Sequence, residues 1–159
     1  MRVEYINPFV EAAFNVLKEV LDTDVKRGDL YLKSSTMQIK GVAALVGLAG
    51  DVEGRVLFDM TKETALAVAS GMNNEEMKVV DEMVKATITE LANMITAQAV
   101  TKLHDLGFKF DLTPPALFTG DNMEISNNLE VEALIVPMDI GPGGKSGKIE
   151  INVVIRERN

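Results

Sequence analysis

Apolar residues recur along this chain with two different periods, and the switches between them predict its elements. Phe9, Ala13, Val16, Leu17 and Val20 repeat at helical spacing. Asn7 supplies an N-cap and Pro8 suits a first helical position, so a helix is predicted over residues 8 to 21. Three strand-like segments follow. Residues 30 to 40 are mixed, 42 to 48 almost wholly apolar, and 55 to 60 short and apolar-rich. Gly50-Asp51, with Gly54 close behind, reads as the turn of a hairpin joining the last two. Thr61 then caps a short helix through Ala65, Leu66, Val68 and Ala69, ended by Gly71. Asn73-Asn74 followed by Glu75-Glu76 opens a further helix with acids in its first turn, where the helix dipole favours them. That helix runs, with a break near Asp81, to Gly107.

Strands return over residues 116 to 119, 130 to 137 and 148 to 156. The last places Ile149, Ile151, Val153 and Ile155 on one face against polar neighbours, a half-buried pattern. Between the last two, the glycine-rich residues 140 to 147 read as a flexible hairpin tip. The order helix, three strands, helix, helix, three strands suggests a duplicated helix-plus-three-strand unit. The expected fold is α+β: a two-layer arrangement in which an antiparallel sheet of about six strands is packed by long helices on one face. No linker or charge block divides residues 1 to 159, which read as one domain.

Composition narrows the function classes. Cysteine is absent, which removes disulfides, thiolate metal sites and cysteine nucleophiles together. A net charge of −8 with few aromatics lacks the footprint of a nucleic-acid binder and repels anionic membrane surfaces. Glu4 and Glu11 interrupt what would be the apolar core of a signal peptide, and the apolar run 41 to 50 is too short to span a bilayer. A cytoplasmic protein is expected. His104 is the single histidine, so no histidine-based zinc site is expected; it reads as a solvated helix-end residue near the C-terminal dipole. Residues 141 to 148 lack the spacing of a phosphate loop and lead into a strand. The nine methionines read as core filler.

On a helical wheel for residues 80 to 106, Val84, Ile88, Leu91, Ile95 and Leu106 cluster within roughly one third of the circumference. Glu90 and Asn93, neighbours at i and i+3, point the other way. Ala86 and Ala97 lie one turn either side of them, with Thr101 beyond. Two small side chains flanking an acid and an amide leave a low patch that another surface can approach. By spacing alone, an ordinary solvated face remains the alternative.

Glu90-Leu91-Ala92-Asn93-Met94, with Thr113-Pro114-Pro115 downstream, resembles the signature of the CheC/CheX/FliY phosphatases of bacterial chemotaxis. Residues 46 to 57 resemble that family's glycine-punctuated hairpin, and residues 102 to 113 its exit from the catalytic helix. The likeness covers most of the chain in the right order. The first helix carries Glu11 and Asn15, four apart instead of three, so one E-x-x-N motif is present and the chain looks most like CheX. It departs from the family pattern at Ala86, where Asp or Ser is frequent.

The resemblance implies a CheX-like phosphatase acting on the aspartyl phosphate of a CheY-type receiver domain, with Glu90 and Asn93 as the catalytic pair and Ala86, Ala97 and Thr101 as partner contacts. It implies no cofactor bound by this chain, Mg²⁺ being held by the receiver, and a homodimer. Two other readings stay open: a binding module that docks a receiver or flagellar switch protein without turnover, and a small-ligand domain.

Overall fold

The first helix starts earlier than its capping residues predict. In the computed structural model, which describes residues 3–34, 36–126 and 132–157, helix α1 covers Val3–Leu21 with Pro8 inside it. Pro8 has no N–H for the carbonyl of Glu4. Burial of Tyr5 and Ile6 offsets that loss, Tyr5 packing edge-on against Phe108 with 4.9 Å between ring centroids.

The chain continues through β1 (Val25–Arg27), β2 (Tyr31–Lys33), β3 (Met37–Gln38), β4 (Val42–Gly50) and β5 (Val52–Met60). Then come α2 (Lys62–Asn73) and α3 (Glu82–Asp105), followed by β6 (Phe110–Leu112), β7 (Ala116–Thr119), β8 (Glu124–Ile125), β9 (Ala133–Ile140) and β10 (Gly147–Glu157). The mixed segment over residues 30 to 40 is two short strands, β2 and β3; between them the Ser34 hydroxyl bonds the Thr36 carbonyl, a local bond that competes with strand pairing. β1 and β6 carry too few residues to show a period. The strand expected over 130 to 137 is β9, which begins at Ala133; residues 130 and 131 lie outside the described residues. The glycine-rich segment forms a compact 3-10 turn over Pro142–Gly144, tied down by the Gly141 N–H to the Asp24 carbonyl at 2.8 Å.

Gly71 does not end α2, and residues 75 to 80 are not helical. Asn74 adopts a left-handed conformation (φ 51°), and both its N–H and that of Glu75 return to the Ser70 carbonyl. The Ser70 hydroxyl accepts from Met77 N–H, which wraps the chain back before a new helix can start. Asp81 then caps α3 by accepting from Val84 N–H at 3.0 Å. The predicted break near Asp81 is therefore the true start of the long helix.

Among the described residues all strand pairs are antiparallel. The main sheet runs β1–β9–β10–β5–β4–β6, with β2 also on β9 and β7 also on β4, so eight strands fill six positions across. β3 and β8 form a separate two-stranded ribbon. Exchanging each strand with the one five places later reproduces this order reversed, and maps the β3–β8 pair onto itself. A pseudo-twofold axis thus passes between β5 and β10, as duplication of a helix-plus-strands unit requires.

The three helices pack on one face, against Val42, Ala44, Val56, Phe58, Met60, Val136, Met138 and the inward row Ile149, Ile151, Val153 and Ile155 of β10. β10 is not half-buried as its alternation suggests, because Glu150 and Asn152 on its other face are also covered. There the β3–β8 ribbon brings Met37, Ile39, Met123 and Ile125 over Ala43 and Leu57. Beside them lies a polar group. Arg55 donates to Asn152 at 3.0 Å, the Asp59 carboxylate accepts from the Lys40 N–H at 3.0 Å, and Glu150 takes both the Lys40 ammonium and the Tyr31 hydroxyl. Burial works against the charge of Glu150, yet these two donors hold its pKa below the ordinary value. Burial, followed by the Glu150 hydrogen bond, pushes the Tyr31 phenol up to about 12.

Two expectations follow from this packing. Gly54 has φ +152°, and a Cβ there would lie 1.8 Å from the Val154 carbonyl oxygen of β10. We expect Gly54→Ala to lower stability by about 3 kcal/mol or more in urea unfolding. Asp59 is pushed up to about 6, chiefly by burial. A carboxyl raised in the folded state binds more protons folded than unfolded, so the stability it contributes at low pH is lost as pH rises through about 6. Asp59→Asn should change little at pH 4 and gain about 1–3 kcal/mol above pH 7, read by urea titrations at both pH values.

Candidate functional site

Helix α3 carries the candidate site because one of its sides is fixed. Val84, Ile88, Leu91 and Ile95 are at most 1% exposed and pack into the core between the helices and the sheet. Leu106 was expected on that face, but α3 ends at Asp105, and Leu106, the C-cap residue, is 59% exposed. Leu103, at 1%, takes its place. The end of α2 is tied alongside: the Asn73 side-chain N–H donates to both the Ala69 carbonyl and the Thr87 hydroxyl.

With that side buried, the opposite crest must face outward. Ala86, Glu90, Asn93, Ala97 and Thr101 are all exposed, within roughly 80° of arc. Neither Glu90 nor Asn93 makes a side-chain hydrogen bond or ion pair with any other described residue. A free carboxylate and a free carboxamide therefore stand side by side in solvent. Thr101 spends its hydroxyl on the Ala97 carbonyl at 3.0 Å, so it offers surface and no free donor. α1 presents no comparable pair. Glu11 and Asn15 are exposed, but the Glu11 carboxylate is held by Lys102 of α3.

Chemically, the crest is a projecting ridge and not a hollow. A cleft of about 510 Å³ lies near the other end of α3, lined by residues that include Ala49, His104, Lys109 and Asp111, but the last three side chains are all exposed. His104 sits edge-on to Phe110 at 5.3 Å, with its Nε2 3.3 Å from the Phe110 carbonyl oxygen; it fastens the helix exit to β6. Among the described residues no group of three or more His, Asp or Glu side chains could hold a metal ion. No helix among them is long and apolar enough to cross a membrane.

Sequence reasoning missed one feature of this crest. Met83 reads as core filler but is 54% exposed, two turns before Glu90 on the same edge. Its only signal in the sequence is the spacing of seven from Glu90.

Comparison with known proteins bears on what such a ridge does. The family model described as "Chemotaxis phosphatase CheX" matches residues 42–139. The CheY-P phosphatase CheX of Thermotoga maritima is 28% identical over 128 residues, covering 80% of this chain and 83% of that protein. A structure of the CheX–CheY–BeF3–Mg²⁺ complex from Borrelia burgdorferi aligns with a TM-score of 0.84 and 49% identity, covering 98% of this chain and all of that one. A CheC-like protein from a Shewanella species aligns with a TM-score of 0.86 and 28% identity over 98% of this chain and 99% of that one.

Proposed function

The chain belongs to the CheX family of chemotaxis phosphatases, and on that premise we propose that it hydrolyses the aspartyl phosphate of a CheY-type receiver domain by inserting the Glu90–Asn93 crest into the receiver's active site. The observation that carries this reading is the pair of unpartnered side chains on a rigid, outward-facing ridge. A ridge suits a reaction whose phosphoryl group is mounted on another protein, because the phosphatase must reach in.

Hydrolysis of an acyl phosphate requires a water placed in line with the leaving carboxylate oxygen. The P–O bond to the aspartate breaks as the water oxygen bonds phosphorus, giving inorganic phosphate and a free aspartate carboxylate. The transition state is loose, so positioning and charge neutralisation outweigh the strength of any base. The Asn93 carboxamide can both accept from and donate to that water, and it does so at any pH. Glu90 cannot approach a dianionic phosphoryl group directly without repulsion. It pairs instead with a receiver lysine, a charge-assisted contact that sets the angle at which Asn93 enters. The Mg²⁺ that neutralises phosphoryl charge in this chemistry is bound by the receiver's carboxylates.

Ala86, Ala97 and Thr101 form the low shoulders that let the receiver close down on the pair. The protein is read as cytoplasmic, as one domain over residues 1–159, and as a homodimer, since the outer strands of its antiparallel sheet present edges that association would cover. Light scattering should then return twice the mass of one chain.

The test is loss of label from a phosphorylated receiver under single-turnover conditions. Asn93→Ala should abolish the acceleration, a fall of 10²-fold or more, while receiver binding stays within a few-fold. Glu90→Ala should weaken both binding and turnover. Equal hydrolysis by wild type and Asn93→Ala, both at the rate of the receiver alone, would instead identify a docking module without turnover.

A further inference from the structure

We infer that Asn73 and Thr87 are positioning residues for the reaction, joining the backbones of α2 and α3 so that the catalytic pair is held at one lateral placement; this rests on the function proposed above. The Asn73 carboxamide has two N–H donors. One goes to the Ala69 carbonyl of α2 at 2.8 Å, the other to the Thr87 hydroxyl of α3 at 2.9 Å. Thr87 in turn donates to the Met83 carbonyl at 2.8 Å. A continuous chain of hydrogen bonds thus runs from the main chain of one helix to that of the other.

Packing alone does not call for this arrangement. Thr87 is buried at 8% exposure, where valine would offer the same branched shape without a hydroxyl. The other threonines of α3, Thr89, Thr96 and Thr101, also close their hydroxyls on the carbonyl four residues back, and they stop there. Thr87 differs in accepting from a second helix. Among the described residues α3 has one other side-chain bond to a helix, Lys102 to Glu11 of α1. Those two side chains are 40% and 60% exposed, and an ion pair so open to solvent adds little.

The tie also lies close to the chemistry. At 1.5 Å per residue, Thr87 is about 4.5 Å along the axis from Glu90 and about 9 Å from Asn93. The apolar side of α3 fixes the rotation of the helix, but apolar contact carries no direction of its own. A directional bond beside the pair is what refines the placement of α3 across the sheet. The chemical step is sensitive to that placement, since a shift of about 1 Å in a positioning group can slow a reaction about 10²-fold. Docking is more tolerant, because Glu90 and a receiver lysine meet through two flexible side chains. Releasing the bond therefore lowers kcat and leaves KM near its original value.

The experiment is steady-state hydrolysis over a range of phosphorylated-receiver concentrations with Thr87→Val, Asn73→Ala, the two combined, Thr87→Ser and Ser70→Ala. The last removes a neighbouring bond of α2, which the Ser70 hydroxyl accepts from Met77 N–H at 2.8 Å, and so controls for general loosening next to α3. Circular dichroism checks that each variant keeps the fold. We expect kcat to fall about fivefold or more in Thr87→Val and in Asn73→Ala, with KM within about twofold of wild type. The double variant should be no slower than the slower single, because both remove one shared bond. Thr87→Ser, which keeps the hydroxyl, and Ser70→Ala should turn over like wild type. An unchanged kcat in either single variant, multiplied losses in the double, no restoration in Thr87→Ser, or an equal loss in Ser70→Ala would overturn the proposal. None of those outcomes touches the catalytic assignment, which the loss of turnover in Asn93→Ala reads separately in the same assay.

Discussion

Everything about this site depends on one contact: the apolar side of α3 packed into the layer between the helices and the sheet. Val84, Ile88, Leu91, Ile95 and Leu103 fix the rotation of the helix about its own axis. Once that rotation is set, the crest opposite has no freedom, and Glu90 and Asn93 must project. Their positions cost no catalytic strain. A helix 24 residues long, capped by Asp81 at one end and braced by His104 against Phe110 at the other, is a stiff mount for an exposed carboxylate and carboxamide.

The pseudo-twofold order of the sheet explains why a single site is notable. α1 and α3 occupy equivalent places before equivalent strands, so the fold offers two ridges. Only one is equipped. On α1, Glu11 is drawn into an ion pair with Lys102 of α3, and Asn15 is displaced by one residue from the spacing that would put it beside the acid. An exposed pair of this kind adds little stability, but it leaves α1 without the unpartnered carboxylate that α3 presents. The duplicated frame has thus kept its architecture while the acid of one half is paired within its own chain.

Much of this was legible in the sequence, for definite reasons. The apolar runs of β4 and β5, the alternation of β10, and β7 at its predicted limits all carry enough residues to show a period. The face of α3 followed from five apolar positions, four of which are buried as expected. Strands of two or three residues, such as β1, β3 and β8, are too short to carry any pattern, since their pairing is decided by partners far away in the chain. The burial of Arg55, Asp59, Glu150 and Asn152 was hidden for a related reason. Polar residues on alternate positions signal a solvated face unless something covers it, and the covering ribbon is built from those same unreadable strands. Leu106 failed because a periodic wheel does not know where the helix stops. Met83 failed because methionine is common in cores, so its exposure had to be seen.

The central claim is that the receiver meets this protein on the crest of α3, with the Asn93 carboxamide inside the receiver's active site. Nitrogen-15 spectra, recorded while a receiver loaded with beryllofluoride and Mg²⁺ is titrated in, test it without any substitution. We expect the side-chain amide signal of Asn93 to shift most, together with backbone amides of Ala86, Glu90 and Ala97, while the β3–β8 ribbon stays still. Shifts confined to the ribbon, to α1 or to the far face of the sheet, with the Asn93 amide unmoved at saturation, would contradict it.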